Sequence, residues 1–184
     1  MRELTFTNRH PRFRLDRRTF AKALAYLDAH FRVTSADLTT LSPAGRRRAR
    51  AFRLPAPNAS AVPAGDLSVS FLTDPALAKL HAAYLDDPTT TDVITFEGDE
   101  SLGHAGDICV SVDTALAYSE KNQVPFAEEI LRYVIHGWLH LAGYDDLHPE
   151  KKRRLRAAED RALKLLRTAN LLPAFTVKPT RSPR

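Results

Sequence analysis

Leu4-Thr-Phe-Thr7 alternates apolar and polar side chains, the period of a short strand. Asp66–Leu72 reads as a second strand. Residues 91–96 and 106–111 read as two more, joined by a polar, glycine-containing turn over 97–104. So short a connection predicts that this pair is antiparallel. Within 91–96, Val93 and Thr95 fall on one face and Asp92, Ile94 and Phe96 on the other. Helical spacing takes over at 16–31, where Phe20, Leu24, Ala25 and Leu27 make an apolar face and Asp16 a cap. Thr73 or Asp74 caps a helix over 75–84, with proline at the tolerated first position. Further helices are predicted at 114–122, from Pro125 through the apolar run 130–141, and from Pro149 to about residue 168.

This order of elements predicts an α+β fold: a single compact domain over residues 1–172, with a small mixed four-stranded sheet packed with helices. The helix carrying His136 and His140 is expected at its centre. Residues 34–65 break the pattern. Thr, Ser, Pro and Ala dominate there around Arg46-Arg-Arg-Ala-Arg50, so a long, partly disordered insertion is expected. A basic, disordered tail is expected over 173–184, with Lys178, Arg181 and Arg184.

At 184 residues and 43% hydrophobic, the chain is not a wholly disordered one. Its single cysteine, Cys109, excludes an internal disulfide and a thiolate-rich metal site, and reads as a small residue packed in a strand. Met1-Arg-Glu-Leu-Thr-Phe-Thr7 has no apolar signal region, and no apolar run approaches a membrane span, so a soluble, cytoplasmic protein is expected. The net charge of +5 is compatible with a polyanionic partner without identifying one.

The chemistry concentrates in His136-Gly-Trp-Leu-His140-Leu-Ala-Gly143-Tyr-Asp-Asp146, followed by His148. Two histidines four residues apart on a helix share a face and can converge on one metal ion. Gly143 can end that helix and reverse the chain, so that Asp146 or His148 returns as a third ligand. Three protein ligands plus water is the arrangement of a catalytic zinc. The spacing approaches H-E-x-x-H-x-x-G-x-x-H of the metzincin proteases, but their general-base glutamate would stand at Gly137. Glycine carries no carboxylate, which disfavours a peptide-cleaving hydrolase. Trp138 reads as core, and Asp92, Asp107 and Asp145 as turn, strand-edge or ligand-orienting groups. The helix after Pro149 is strongly basic, from Lys151-Lys-Arg-Arg154 to Arg167, with Glu150 and Asp160 as partners within it.

Taken together, Thr91-Asp-Val-Ile-Thr-Phe96, Gly106-Asp-Ile108 with Ser111, Glu128-Glu129, and Arg132-Tyr-Val-Ile-His136-Gly-x-Leu-His140-Leu-x-Gly143-Tyr-Asp145, closing with Glu159, resemble the YbeY-type metallo-endoribonucleases. The resemblance spans residues 66–172. It implies one zinc ion held by His136, His140 and Asp146, which stands at the family's third-ligand position, with His148 as the alternate. It implies a single-strand-specific endoribonuclease that matures the 3′ end of small-subunit (16S) ribosomal RNA and acts in ribosome quality control. The implied partners are single-stranded RNA, ribosomal RNA and the small ribosomal subunit, with no membrane. The chain departs from the family pattern by having Asp146 for a histidine, Leu85 for an arginine thought to act on RNA, His81 for an asparagine and Leu155 for a methionine. Its insertion at 34–65 is also longer. Arg132, or the Arg46 cluster, is the candidate to supply the missing cation. These departures keep open an alternative: a ribosome-assembly or RNA-binding factor whose metal is mainly structural.

Overall fold

In the computed structural model, the structure describes residues 2–34, 37, 62–87 and 89–179. The Arg46 cluster and residues 181–184 lie outside the described residues, as does most of the expected insertion. The strands are β1 (Leu4–Asn8), β2 (Phe13–Leu15), β3 (Asp66–Leu72), β4 (Val93–Glu97), β5 (His104–Ser111) and β6 (Phe175–Val177). The helices are α1 (Arg17–His30), α2 (Asp74–Leu85), α3 (Val112–Asn122), α4 (Phe126–Leu141) and α5 (Pro149–Thr168).

Four strands make one mixed sheet in the order β1-β3-β5-β4. β1, β3 and β5 run parallel, and β4 returns antiparallel to β5 through the short turn that predicted it. Alternation along the strands sends Leu67, Val69, Phe71, Ile108 and Val110 into the main core, which α1, α4 and α5 complete. Leu72, Ile94 and Cys109 face the other way, where Leu77 of α2 covers them. Burial pushes the Cys109 thiol up to about 11, consistent with a packed, unreactive side chain.

Asp16 caps α1 as its position predicts, accepting from the backbone N–H groups of Arg18 and Thr19. The buried face of α1 is Phe20, Ala23, Leu24 and Leu27; Ala25 turns outward instead. α4 is the central helix. It packs on β4 and β5 and against α3 and α5, and Trp138 is fully buried, its indole N–H donating to Asp28 at 3.1 Å.

The expectation of a disordered tail from residue 173 needs correcting. β6 pairs antiparallel with β2, joining Phe175 to Leu15 and Val177 to Phe13. Phe175 is buried against Phe13 and Phe20, with ring centroids 5.7 and 5.4 Å away. One aromatic side chain in a run of three residues, flanked by prolines, is too short a pattern to distinguish from coil. Its burial comes from rings more than a hundred residues away in the chain. The insertion also has an ordered end. Val62 is buried in the core, and the Arg2 guanidinium donates to the Pro63 carbonyl at 2.7 Å.

Candidate metal centre

Glu128 and Glu129 stand in the first turn of α4, where negative charge meets the positive end of the helix dipole. Gly137 lets the same helix lie directly on the sheet. A Cβ there would meet Ile108 Cγ2 at 2.7 Å and Thr95 Oγ1 at 2.9 Å. The residue that lacks the protease carboxylate is therefore the one that brings the two histidines down to strands β4 and β5.

α4 ends in a Schellman turn. Gly143 has φ +96°, its N–H donates to the His140 carbonyl, and the Tyr144 N–H donates to the Leu139 carbonyl. Glycine occupies this left-handed position without the steric cost of a Cβ. The reversal turns the Tyr144 carbonyl onto Nδ1 of His140 at 3.0 Å and carries Asp146 back over the helix. Tyr144 anchors the turn, buried, with the Arg161 guanidinium at 3.4 Å from its hydroxyl.

His136 and His140 present their Nε2 atoms to each other at 2.9 Å, and Asp146 joins them, the ligand atoms all lying within 4.8 Å. Each ring is held from behind. Glu159 Oε1 accepts from Nδ1 of His136 at 2.9 Å, while the Tyr144 carbonyl accepts from Nδ1 of His140. A carboxylate and a carbonyl can only accept, so both Nδ1 atoms carry the proton and both Nε2 atoms direct lone pairs inward. A proton or a metal ion between the two Nε2 atoms satisfies both lone pairs, and two neutral imidazoles with one carboxylate suit zinc.

Burial is the largest influence on both imidazoles and opposes their protonation. On His136 it is outweighed by the hydrogen bond and charge of Glu159, with Asp92 and Asp146, so that ring is raised above the usual histidine range. On His140 burial and the neighbouring His136 prevail and lower it.

Among the described residues, His148 does not join this group. It is exposed and precedes the first residue of α5, with no side-chain hydrogen bond to the helix start. Asp145 is turned away into the loop, where it accepts from the Leu147 N–H and pairs with Lys151 at 2.6 Å. Arg132, one turn before His136, lines the groove beside the site but is held by Glu159 at 3.2 Å and Asp160 at 2.9 Å. Asp92 closes its own turn by accepting from the Val93 N–H, and also lines the groove. Asp107 pairs with His104 at 2.8 Å. His81 bonds the Thr89 carbonyl, and Leu85 is the last residue of α2. The role of Glu159 as the partner of His136 is what sequence reasoning missed. Its signal was a glutamate among Leu155, Ala158 and Ala162 on the buried face of α5.

Two clefts meet at His136. The larger, about 850 Å³, runs between α5 and the α3–α4 side past Asp146. The smaller, about 350 Å³, lies over β4 and includes His81, His140 and Asp145. An extended chain laid through both would cross the metal site.

The family described as Endoribonuclease YbeY matches residues 49–167. A relative of that name from Chlamydia pneumoniae is 39% identical over 119 residues, covering 60% of this chain and 75% of its own. The relative of the same name from Phocaeicola vulgatus is 34% identical over 102 residues, covering 55% and 74%. A solution structure of TM1509 from Thermotoga maritima shares the fold, with TM-score 0.53, 15% identity and 91% of each chain covered. The chain thus belongs to the Endoribonuclease YbeY family.

Proposed function

We propose that this chain is a zinc-dependent endoribonuclease that cuts single-stranded RNA and acts in the cytoplasm on small-subunit ribosomal RNA, at its 3′ end. The family carries the RNA-cleaving activity. The observation that carries the metal dependence is the convergence of two inward Nε2 lone pairs and the Asp146 carboxylate. Zinc, when bound, supplies a Lewis acid for a phosphoryl oxygen and an acidified water.

The chain's own residues do the rest. Glu159 and the Tyr144 carbonyl fix the tautomer and tilt of the two rings. Asp146 would hold the metal with a negative charge where a third imidazole is neutral, which would weaken the ion as a Lewis acid. Arg132 lines the groove with its charge met by Glu159 and Asp160. Proteolysis is disfavoured because Gly137 leaves no carboxylate one residue after His136.

The two clefts flank a recessed site, which suits a flexible single strand better than a duplex whose phosphates are held on a rigid cylinder. Chelator-sensitive cleavage of single-stranded small-subunit ribosomal RNA by the purified chain, with duplex RNA spared, tests this reading. RNA binding without cleavage would favour an assembly factor with a structural metal.

A further inference from the structure

We infer that Lys152 and Arg156 grip neighbouring phosphates of the RNA strand in the larger groove. The inference rests on the endoribonuclease reading and adds the residues that hold its substrate.

That groove has two unlike walls. Asp92, Glu128 and Glu129 stand on the side made by α4 and the start of β4. Like charges repel, so this acidic wall is the less hospitable one to a phosphate. Lys152 and Arg156 stand opposite on α5, separated by one turn on a common face, beside Glu159 and Asp160 of the same helix, whose carboxylates are turned to Arg132. Both cations are exposed and, among the described residues, neither makes a side-chain hydrogen bond or an ion pair.

The other basic groups of α5 are mostly occupied. Lys151 pairs with Asp145, Arg153 and Arg154 with Glu150, Arg161 with Asp37, and Arg167 with Glu128. Arg132, the cation on the facing helix, is taken by Glu159 and Asp160. Among the described residues, the free positive charge of the groove is therefore Lys152 and Arg156. A rise of about 6 Å over four helical residues is comparable with the step between phosphates of an extended strand. Buried Leu155 anchors this stretch of α5 to the core. Phosphates on the α5 wall would leave the bases facing Tyr118 and Tyr133 across the groove.

The test uses zinc-loaded protein and a short single-stranded RNA, with kcat and KM measured over a series of KCl concentrations. Lys152→Ala/Arg156→Ala should raise KM with kcat retained. It should also flatten the slope of log kcat/KM against log salt by about 1.4, or about 0.7 for each phosphate of a single strand that is no longer neutralised. The swap Lys152→Arg/Arg156→Lys should keep the wild-type slope. Lys164→Ala/Lys178→Ala, which removes two exposed charges outside the groove, should keep it as well. Wild-type cleavage with an unchanged slope in the double alanine variant overturns the phosphate grip alone. Absence of any cleavage by the wild type overturns the endoribonuclease reading beneath it.

Discussion

Glu159 holds Nδ1 of His136 at 2.9 Å with one carboxylate oxygen and reaches Arg132 at 3.2 Å with the other. One buried side chain of α5 thus orients the first metal-facing ring and tethers the nearest cation. Glu159→Gln keeps the shape but loses the charge that makes the imidazole a strong donor. Zinc affinity should fall by roughly 10–100-fold, read by competition with a chromophoric chelator. An unchanged affinity would mean that Glu159 only packs.

The third ligand is decided by a pair of variants. Asp146→Ala should lose bound zinc in elemental analysis after gel filtration, and His148→Ala should retain about one ion per chain, since Asp146, and not His148, joins the two Nε2 atoms among the described residues. Retained zinc in the Asp146 variant would sink that assignment.

Gly137 is a packing position as well as a missing carboxylate. A methyl group placed there runs into Ile108 and Thr95, so Gly137→Ala should cost about 1–3 kcal/mol in urea unfolding. Ile108→Ala removes the nearest obstruction. The two changes together should cost less than the sum of their separate effects, and strict additivity would argue against the contact.

Cys109 supplies a pH dependence with a definite sign. Its folded value, about 11, lies above the ordinary thiol value of 9.0. Folding favours the neutral thiol, so its contribution to stability is complete below pH 9.0 and is lost as pH climbs through about 11. At about pH 8, below both values, a thiol reagent should label the native chain only as fast as it opens. Immediate labelling would show that the thiol is accessible.

Much of this was legible because the signals were local. Pro125, the apolar run 130–141 and Gly143 mark the ends of α4 within the segment itself, and the turn 97–104 fixes how β4 meets β5. The pair His136 and His140 follows from helical spacing alone. What stayed hidden depends on residues distant in the chain. Glu159 finds His136 across 23 positions. β2 and β6 are only three residues each and exist because they pair with each other and bury Phe13 and Phe175. Which of Asp146 and His148 lies beside the two rings depends on the path of the Schellman turn, which places Asp146 over the helix and leaves His148 to begin α5. Nor could composition tell which cations of α5 were free, because their partners Asp37, Glu128 and Asp145 lie on other segments.

The central claim is that His136, His140 and Asp146 make one zinc site that the RNA-cleaving reaction requires. The most direct measurement strips the purified chain of metal and titrates zinc back while following cleavage of single-stranded ribosomal RNA. Activity should vanish on stripping and return in proportion to added zinc, levelling at one ion per chain. Cleavage that survives complete stripping, or that never returns with zinc, would contradict the account.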